Sequence, residues 1–165
     1  MKMEEFELKD LQKIKVLVLK WLTRRAFFEA EIEYRLKKIG VSESLISAVT
    51  EFCRELKLFD DEKLKERIIE KELKRGRGKA FAMAKCSRWV DTKENNLSSP
   101  ETKNLERDAI RTVIEKKKID LASLDRKEKQ KLFRFFLQRG FARETVTEVL
   151  FASVKDSSNY SSGIL

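Results

Sequence analysis

The chain is predicted to be all-α: three tandem three-helix repeats forming an elongated, curved array. Three observations carry this. Among 165 residues there are only 5 Gly and 1 Pro, too few for the frequent turns of a sandwich or barrel. Charged residues make up 39% and alternate with apolar positions at helical spacing. One segment also repeats at an offset of 100 residues. Leu36-Lys37-Lys38-Ile39-Gly40-Val41 matches Phe136-Leu137-Gln138-Arg139-Gly140-Phe141, and Ile32, Ile46 and Val49 meet Leu132, Val146 and Val149. Repeats of this size suggest units that stack on their neighbours.

The elements follow in order. Leu8, Leu11, Ile14, Val18 and Leu22 share one face of a first helix, Leu8 to Thr23. A second runs from Glu29 to Ile39 and closes on Gly40, the expected left-handed cap. Ser42-Glu43-Ser44 opens a third, with Leu45, Ile46, Val49, Phe52, Cys53 and Leu56 inward; Phe27-Phe28 staples the joint between the first two. Asp60-Asp61-Glu62 then starts a helix, because carboxylates suit its free N–H groups and positive end. Its stripe is Leu64, Ile68, Ile69 and Leu73, and it stops at Gly76 and Gly78. Lys79 to Val90 reads as a thinner helix with Phe81, Ala82, Cys86 and Trp89 inward, and Asp91 to Ser99 as a polar loop.

Ser99-Pro100-Glu101 is a strong helix start, leading through Leu105, Ala109, Ile110, Val113 and Ile114 to about Lys118. Asp125 caps another helix, with Phe133 and Phe136 inward and Phe135 more exposed, ending at Gly140. The last helix spans Arg143 to Val154, and Asp156 to Leu165 is a Ser-rich tail. The boundaries expected are therefore 1–59 for the first repeat with its N-terminal helix, 60–98 for a degenerate second, 99–155 for the third and 156–165 for a flexible tail.

Composition narrows the chemistry. Histidine is absent, which removes the commonest general base and metal ligand, and Cys53 and Cys86 form no CxxC. Both thiols read as buried and reduced. Asp60-Asp61-Glu62 reads as a helix cap rather than a metal site, and no phosphate-cradling glycine loop follows a strand. No enzyme, cofactor or metal is expected. The N-terminus is mixed in charge and Val16 to Leu19 is too short to span a bilayer, so the expected location is the cytoplasm, with no membrane partner.

The net charge of +9 instead favours phosphate-bearing or acidic partners. Lys63 to Arg88 carries ten Lys and Arg against three Glu, and Arg111 to Arg139 ten against four acids. The candidate contact residues are Arg24, Arg25, Arg35, Lys37, Lys38, Lys74, Arg75, Arg77, Lys79, Arg88, Lys131, Arg134 and Arg139. Arg75 and Arg77 flank a glycine, where backbone can approach a partner and guanidinium forks can grip carboxylate or phosphate. The competing role, for Arg24-Arg25, Lys37, Lys38 and Arg139 above all, is to complement helix C-termini.

Several stretches together resemble the RecX family, regulators of the RecA recombinase. They are Leu22-Thr23-Arg24-Arg25 with Glu31 and Leu36, then Leu58-Phe59-Asp60-Asp61-Glu62, then Arg75-Gly76-Arg77-Gly78, then Lys129-Gln130-Lys131-Leu132 leading to Leu137-Gln138-Arg139-Gly140-Phe141. The resemblance covers roughly Trp21 to Phe151. The departures are Lys79 where the family often has proline, no glycine near Val90, and a polar 91–99. The resemblance implies three tandem three-helix repeats, and a non-enzymatic protein that binds RecA–DNA filaments along their groove. Such a protein restrains the filament's ATPase, strand exchange and co-protease activity in recombination, DNA repair and the SOS response. It would act as a monomer, touching single- and double-stranded DNA weakly through phosphates. The alternative is a general basic helical nucleic-acid-binding protein independent of recombinase; an adaptor for an acidic protein is a third.

Overall fold

A computed structural model describes residues 2–90 and 100–151, and side chains within 10–90 and 103–151. Eight helices and no strand occur among the described residues. They are α1 (Lys2–Leu22), α2 (Glu29–Lys38), α3 (Glu43–Glu55), α4 (Asp61–Lys74), α5 (Lys79–Cys86), α6 (Pro100–Lys116), α7 (Arg126–Gln138) and α8 (Arg143–Phe151). The chain divides into two compact units. Among the described residues, one holds 2–67 with 86–90 and the other holds 68–85 with 100–151.

In the first unit α3 packs on both α1 and α2. Its core is Val18, Phe27, Ile32, Leu36, Ile46, Val49 and Cys53, with Leu11, Ile14, Trp21, Val41 and Phe59 around it. These are the 3-4 spaced positions of the sequence, so the amphipathic pattern alone decides which faces meet. The α2–α3 joint closes on Gly40 at φ +82°, with Val41 N–H donating to the Leu36 carbonyl at 3.1 Å. At the end of α3 the same closure is made by Lys57 at φ 53°, where a side chain costs roughly 1–2 kcal/mol.

The two aspartates divide the capping work. Asp60 Oδ1 accepts from Lys63 N–H at 3.0 Å and so caps its own helix. Asp61 Oδ1 accepts from Glu29 N–H at 3.2 Å, capping α2, whose N-cap residue Phe28 has no side-chain acceptor. Burial pushes the Asp61 carboxyl above its ordinary value.

In the second unit α8 packs on α6 and α7 around Leu73, Ile110, Ile114, Phe136, Phe141, Val146 and Leu150. Asp125 and Glu128 form a reciprocal capping box at the start of α7. Phe136 is fully buried, with Phe135 and Phe141 edge-on at 5.2 and 5.5 Å. Gly140, at φ +80°, repeats the closure of Gly40, as the 100-residue offset requires.

The two glycines after α4 have different roles. Gly76, at φ +71°, is the left-handed cap, with Arg77 N–H donating to the Glu72 carbonyl at 2.9 Å. Gly78 lies against the α7–α8 turn: its N–H donates to the Arg139 carbonyl at 2.8 Å, and Ala80 N–H donates to the Gly140 carbonyl at 3.1 Å. A Cβ on Gly78 would stand 2.1 Å from the Gly140 oxygen. Glu106 completes the joint, accepting from Lys79 N–H at 2.8 Å and Ala142 N–H at 3.4 Å.

Several expectations are corrected. The first helix starts at Lys2 rather than Leu8. The fifth ends at Cys86, not Val90; Trp89 and Val90 N–H turn back to the Cys86 carbonyl, and the Trp89 ring packs 5.5 Å from Tyr34. Leu105 is 52% exposed; Glu106 takes the buried place ahead of Ile110 and Ile114, which lie inward as read. Phe81 is exposed at the surface between the Arg77 and Lys85 cations. Cys53 and Cys86 are both fully buried, as read from the sequence. The 91–99 loop, the Ser99 cap and the 156–165 tail lie outside the described residues.

Two substitutions test this packing. Phe136→Ala is expected to destabilise by about 3–5 kcal/mol, as loss of a fully buried ring does. Gly78→Ala forces overpacking against backbone, costing about 1–3 kcal/mol or more, although Gly78 lies in no helix. Urea unfolding measures both, and an unchanged midpoint for either would refute the placement of that residue.

Candidate functional site

Each unit is wired by a buried carboxylate. In the first, Glu31 is 7% exposed and sits beside Ile32 on the inner side of α2. It accepts both terminal nitrogens of Arg25, at 3.2 and 2.5 Å, and Arg35 at 3.3 Å. Both guanidiniums also lie over the Phe27 ring, at 3.6 and 4.8 Å. In the second, Glu72 is 2% exposed at the end of α4. It accepts from Arg75 at 3.3 Å, Arg77 at 3.1 Å and Lys85 at 2.7 Å. Burial alone would raise the Glu72 carboxyl, but Lys85 and then Arg77 outweigh it and hold the group below its ordinary value.

The thirteen candidate residues therefore fall into distinct situations. Arg25, Arg35, Arg75 and Arg77 are ion-paired to those two carboxylates while keeping part of their surface in solvent. Lys37 pairs with Glu43 at 2.6 Å, which raises its pKa, and Lys74 pairs with Glu70 at 2.7 Å. Both of these pairs are exposed, a setting in which an ion pair adds little to stability. Lys79 is 7% exposed, its backbone tied to Glu106. Arg139 donates to the Gly76 carbonyl at 3.1 Å and lies 4.5 Å from the Phe135 ring. Arg24, Lys38, Arg88, Lys131 and Arg134 are exposed and form no ion pair among the described residues.

Two grooves collect the remaining chemistry. In the first unit Trp21, Tyr34 and Trp89 line a groove of about 340 Å³ together with Arg35, Lys38, Ile39, Arg88 and Glu31. In the second, Lys117, Lys131 and Glu128 surround Ile119, Leu132 and Phe135 in a space of about 350 Å³. The Lys117 ammonium lies 5.3 Å from the Phe135 ring, and Arg139 lies over the same ring. Phe135 is thus half-buried beneath two cations; like Phe133 it packs against the core cluster, of which Phe136 is a buried member.

The sequence reading named Glu31 only among the residues of the family resemblance, and missed Glu72, Lys85, Lys117 and the aromatic groove. A signal for the carboxylates existed. Each occupies an apolar-stripe position beside Ile32 or Leu73, and a buried acid requires partners. Among the described residues no cluster of His, Cys, Asp and Glu could hold a metal, and no helix is long and apolar enough to cross a membrane.

Glu72 supports a pH test. Because its folded pKa is depressed, its contribution is fully present above the unfolded carboxylate value and is lost as pH falls through the folded one. Glu72→Gln is expected to lose about 1–2 kcal/mol at neutral pH, less than for a fully buried pair because its cations are about half exposed. The gap to the parent should close below about pH 4. Urea unfolding across this range measures it; a gap independent of pH would refute the carboxylate's role.

Comparison with known proteins places this geometry. Residues 105–150 match the family model described as RecX, third three-helix domain. The crystal structure of RecX from Lactobacillus salivarius aligns with a TM-score of 0.71, at 18% identity, over 87% of this chain and 96% of that one. No curated protein sequence matches the chain. The all-α, three-helix-repeat fold is borne out, and so is the resemblance to the RecX family.

Proposed function

We propose that this chain, with the fold of RecX and the third three-helix domain of that family, is a regulator of the RecA recombinase. It binds the RecA–DNA filament and restrains ATP hydrolysis, strand exchange and co-protease activity. The match of residues 105–150 carries this reading, because that segment holds α7, α8 and the Gly140 joint on which the second unit is built. The basic surplus agrees with it: +9 overall suits a partner that carries phosphates. The role needs no chemistry of the chain's own. Binding energy would be spread over many charge-assisted contacts with a few anchors. The protein works as a monomer in the cytoplasm, where such filaments form.

The test is ATP hydrolysis by RecA on single-stranded DNA, titrated with this protein at fixed salt and with DNA in excess. Inhibition at or below one protein per RecA is expected. Inhibition only once the DNA itself is coated would point to simple competition for phosphates, and to a general DNA-binding protein instead.

The unpaired cations give a cleaner probe than the paired ones. Arg75→Glu with Arg77→Glu would set two more carboxylates beside buried Glu72 and disturb the α4–α5 joint. Lys131→Ala with Arg134→Ala removes exposed charge only. This double variant is expected to weaken inhibition several-fold with unchanged helical circular dichroism. Inhibition equal to the parent's would exclude that surface.

A further inference from the structure

Trp21, Tyr34 and Trp89 meet on one side of the first unit, although they come from α1, α2 and the turn after α5. Tyr34 is 54% exposed, a large aromatic left at the surface. Its ring centroid lies 5.5 Å from that of Trp89 at an interplanar angle of 59°. Cations border the rings: Arg35 lies 5.8 Å from Trp21, Arg88 lies 5.9 Å from Trp89, and Lys38 lines the same groove. Among the described residues the one carboxylate lining it, Glu31, is buried and already holds Arg25 and Arg35. Lys38 and Arg88 are left without an ion pair among the described residues.

We infer that this groove takes an unstacked base of a single nucleic-acid strand, with Lys38 and Arg88 on its flanking phosphates. Aromatic rings offer a base a surface that every base can use, and cations beside them track the backbone. A volume of about 340 Å³ lies at the low end of ligand pockets, roughly 300–1,000 Å³, and suits one nucleotide. A duplex keeps its bases stacked, so the rings would have nothing to receive. An acidic peptide would use the cations and leave the three rings unused. The inference deepens the filament reading and rests on it only for the source of the strand. It is tested on DNA without recombinase, so its failure leaves that reading standing.

The chain holds 2 tryptophans, and both line this groove, so intrinsic tryptophan fluorescence reports on it alone. The intact protein is titrated with a deoxythymidine oligomer, with an abasic oligomer of equal charge and with polyglutamate, at one fixed salt. The thymidine oligomer is expected to quench tryptophan emission and to bind more tightly than the abasic one. Tyr34→Ala keeps both tryptophans and is expected to weaken thymidine binding by about 5- to 150-fold, the loss typical of one stacking contact. Circular dichroism verifies that the variant is folded. Equal affinity for the abasic oligomer would overturn the proposal in favour of phosphate contact alone. Quenching by polyglutamate but not by DNA would overturn it in favour of an acidic protein partner. DNA binding seen by anisotropy of a labelled oligomer, without quenching, would place the strand elsewhere and overturn it too.

Discussion

The second unit depends on a contact between two backbones. Gly78 and Gly140 come close enough that no side chain fits between them, and two N–H groups at the start of α5 donate across the gap. A helix start leaves N–H groups with no intrahelical partner, and burying them unpaired costs about 1–3 kcal/mol each. Here the carbonyls of Arg139 and Gly140 and the carboxylate of Glu106 meet that demand together. The arrangement fixes more than α5. Arg139 also reaches the Gly76 carbonyl, so the cap of α4 and the closing turn of α7 share one residue. Phe141 enters the core directly after the contact.

The first unit meets a similar demand in another way. The start of α2 has no side-chain cap of its own, and Asp61 supplies one from the start of α4. In both units a carboxylate distant in sequence satisfies a helix N-terminus, and burial raises the pKa of each, Asp61 and Glu106 alike. That shift has a physical meaning. Desolvation opposes the charged form, and accepted N–H bonds only partly offset it. These groups contribute by completing hydrogen bonds rather than by net electrostatic attraction. Glu31 and Glu72 differ, since each has gathered cations around it.

The helices and their repeat were legible because they rest on local rules. Gly40 and Gly140 mark equivalent turns, Asp125 opens a capping box with a residue three positions on, and the apolar stripes fall where the cores lie. What could not be read was set by contacts far apart in sequence. The run Arg75-Gly76-Arg77-Gly78 looks the same whether its second glycine admits a partner or accommodates Gly140. Leu105 was read inward on α6 where the buried residue is its neighbour Glu106, which two distant N–H groups draw inward. Trp89 was assigned to a helix that ends before it, since its position is decided by Tyr34 in another element. Of the basic candidates, sequence identified the charge of each but not its engagement.

Engagement changes what each cation can contribute to a partner. Glu72 brings one negative charge to Arg75, Arg77 and Lys85, so the cluster keeps a net positive field while its geometry is held. A guanidinium already on a buried carboxylate gains from a phosphate only the difference between the two, and leaving Glu72 uncovered would carry a desolvation cost. Lys38, Arg88, Lys131 and Arg134 exchange only water and small ions when they meet a phosphate, and release of those ions is what drives such binding. Toward a phosphate-bearing partner the paired arginines would therefore mainly shape and charge the surface, and the residues without an ion pair among the described residues would make the contacts. A count of basic residues along the chain treats the two kinds alike; the carboxylates at Glu31 and Glu72 separate them.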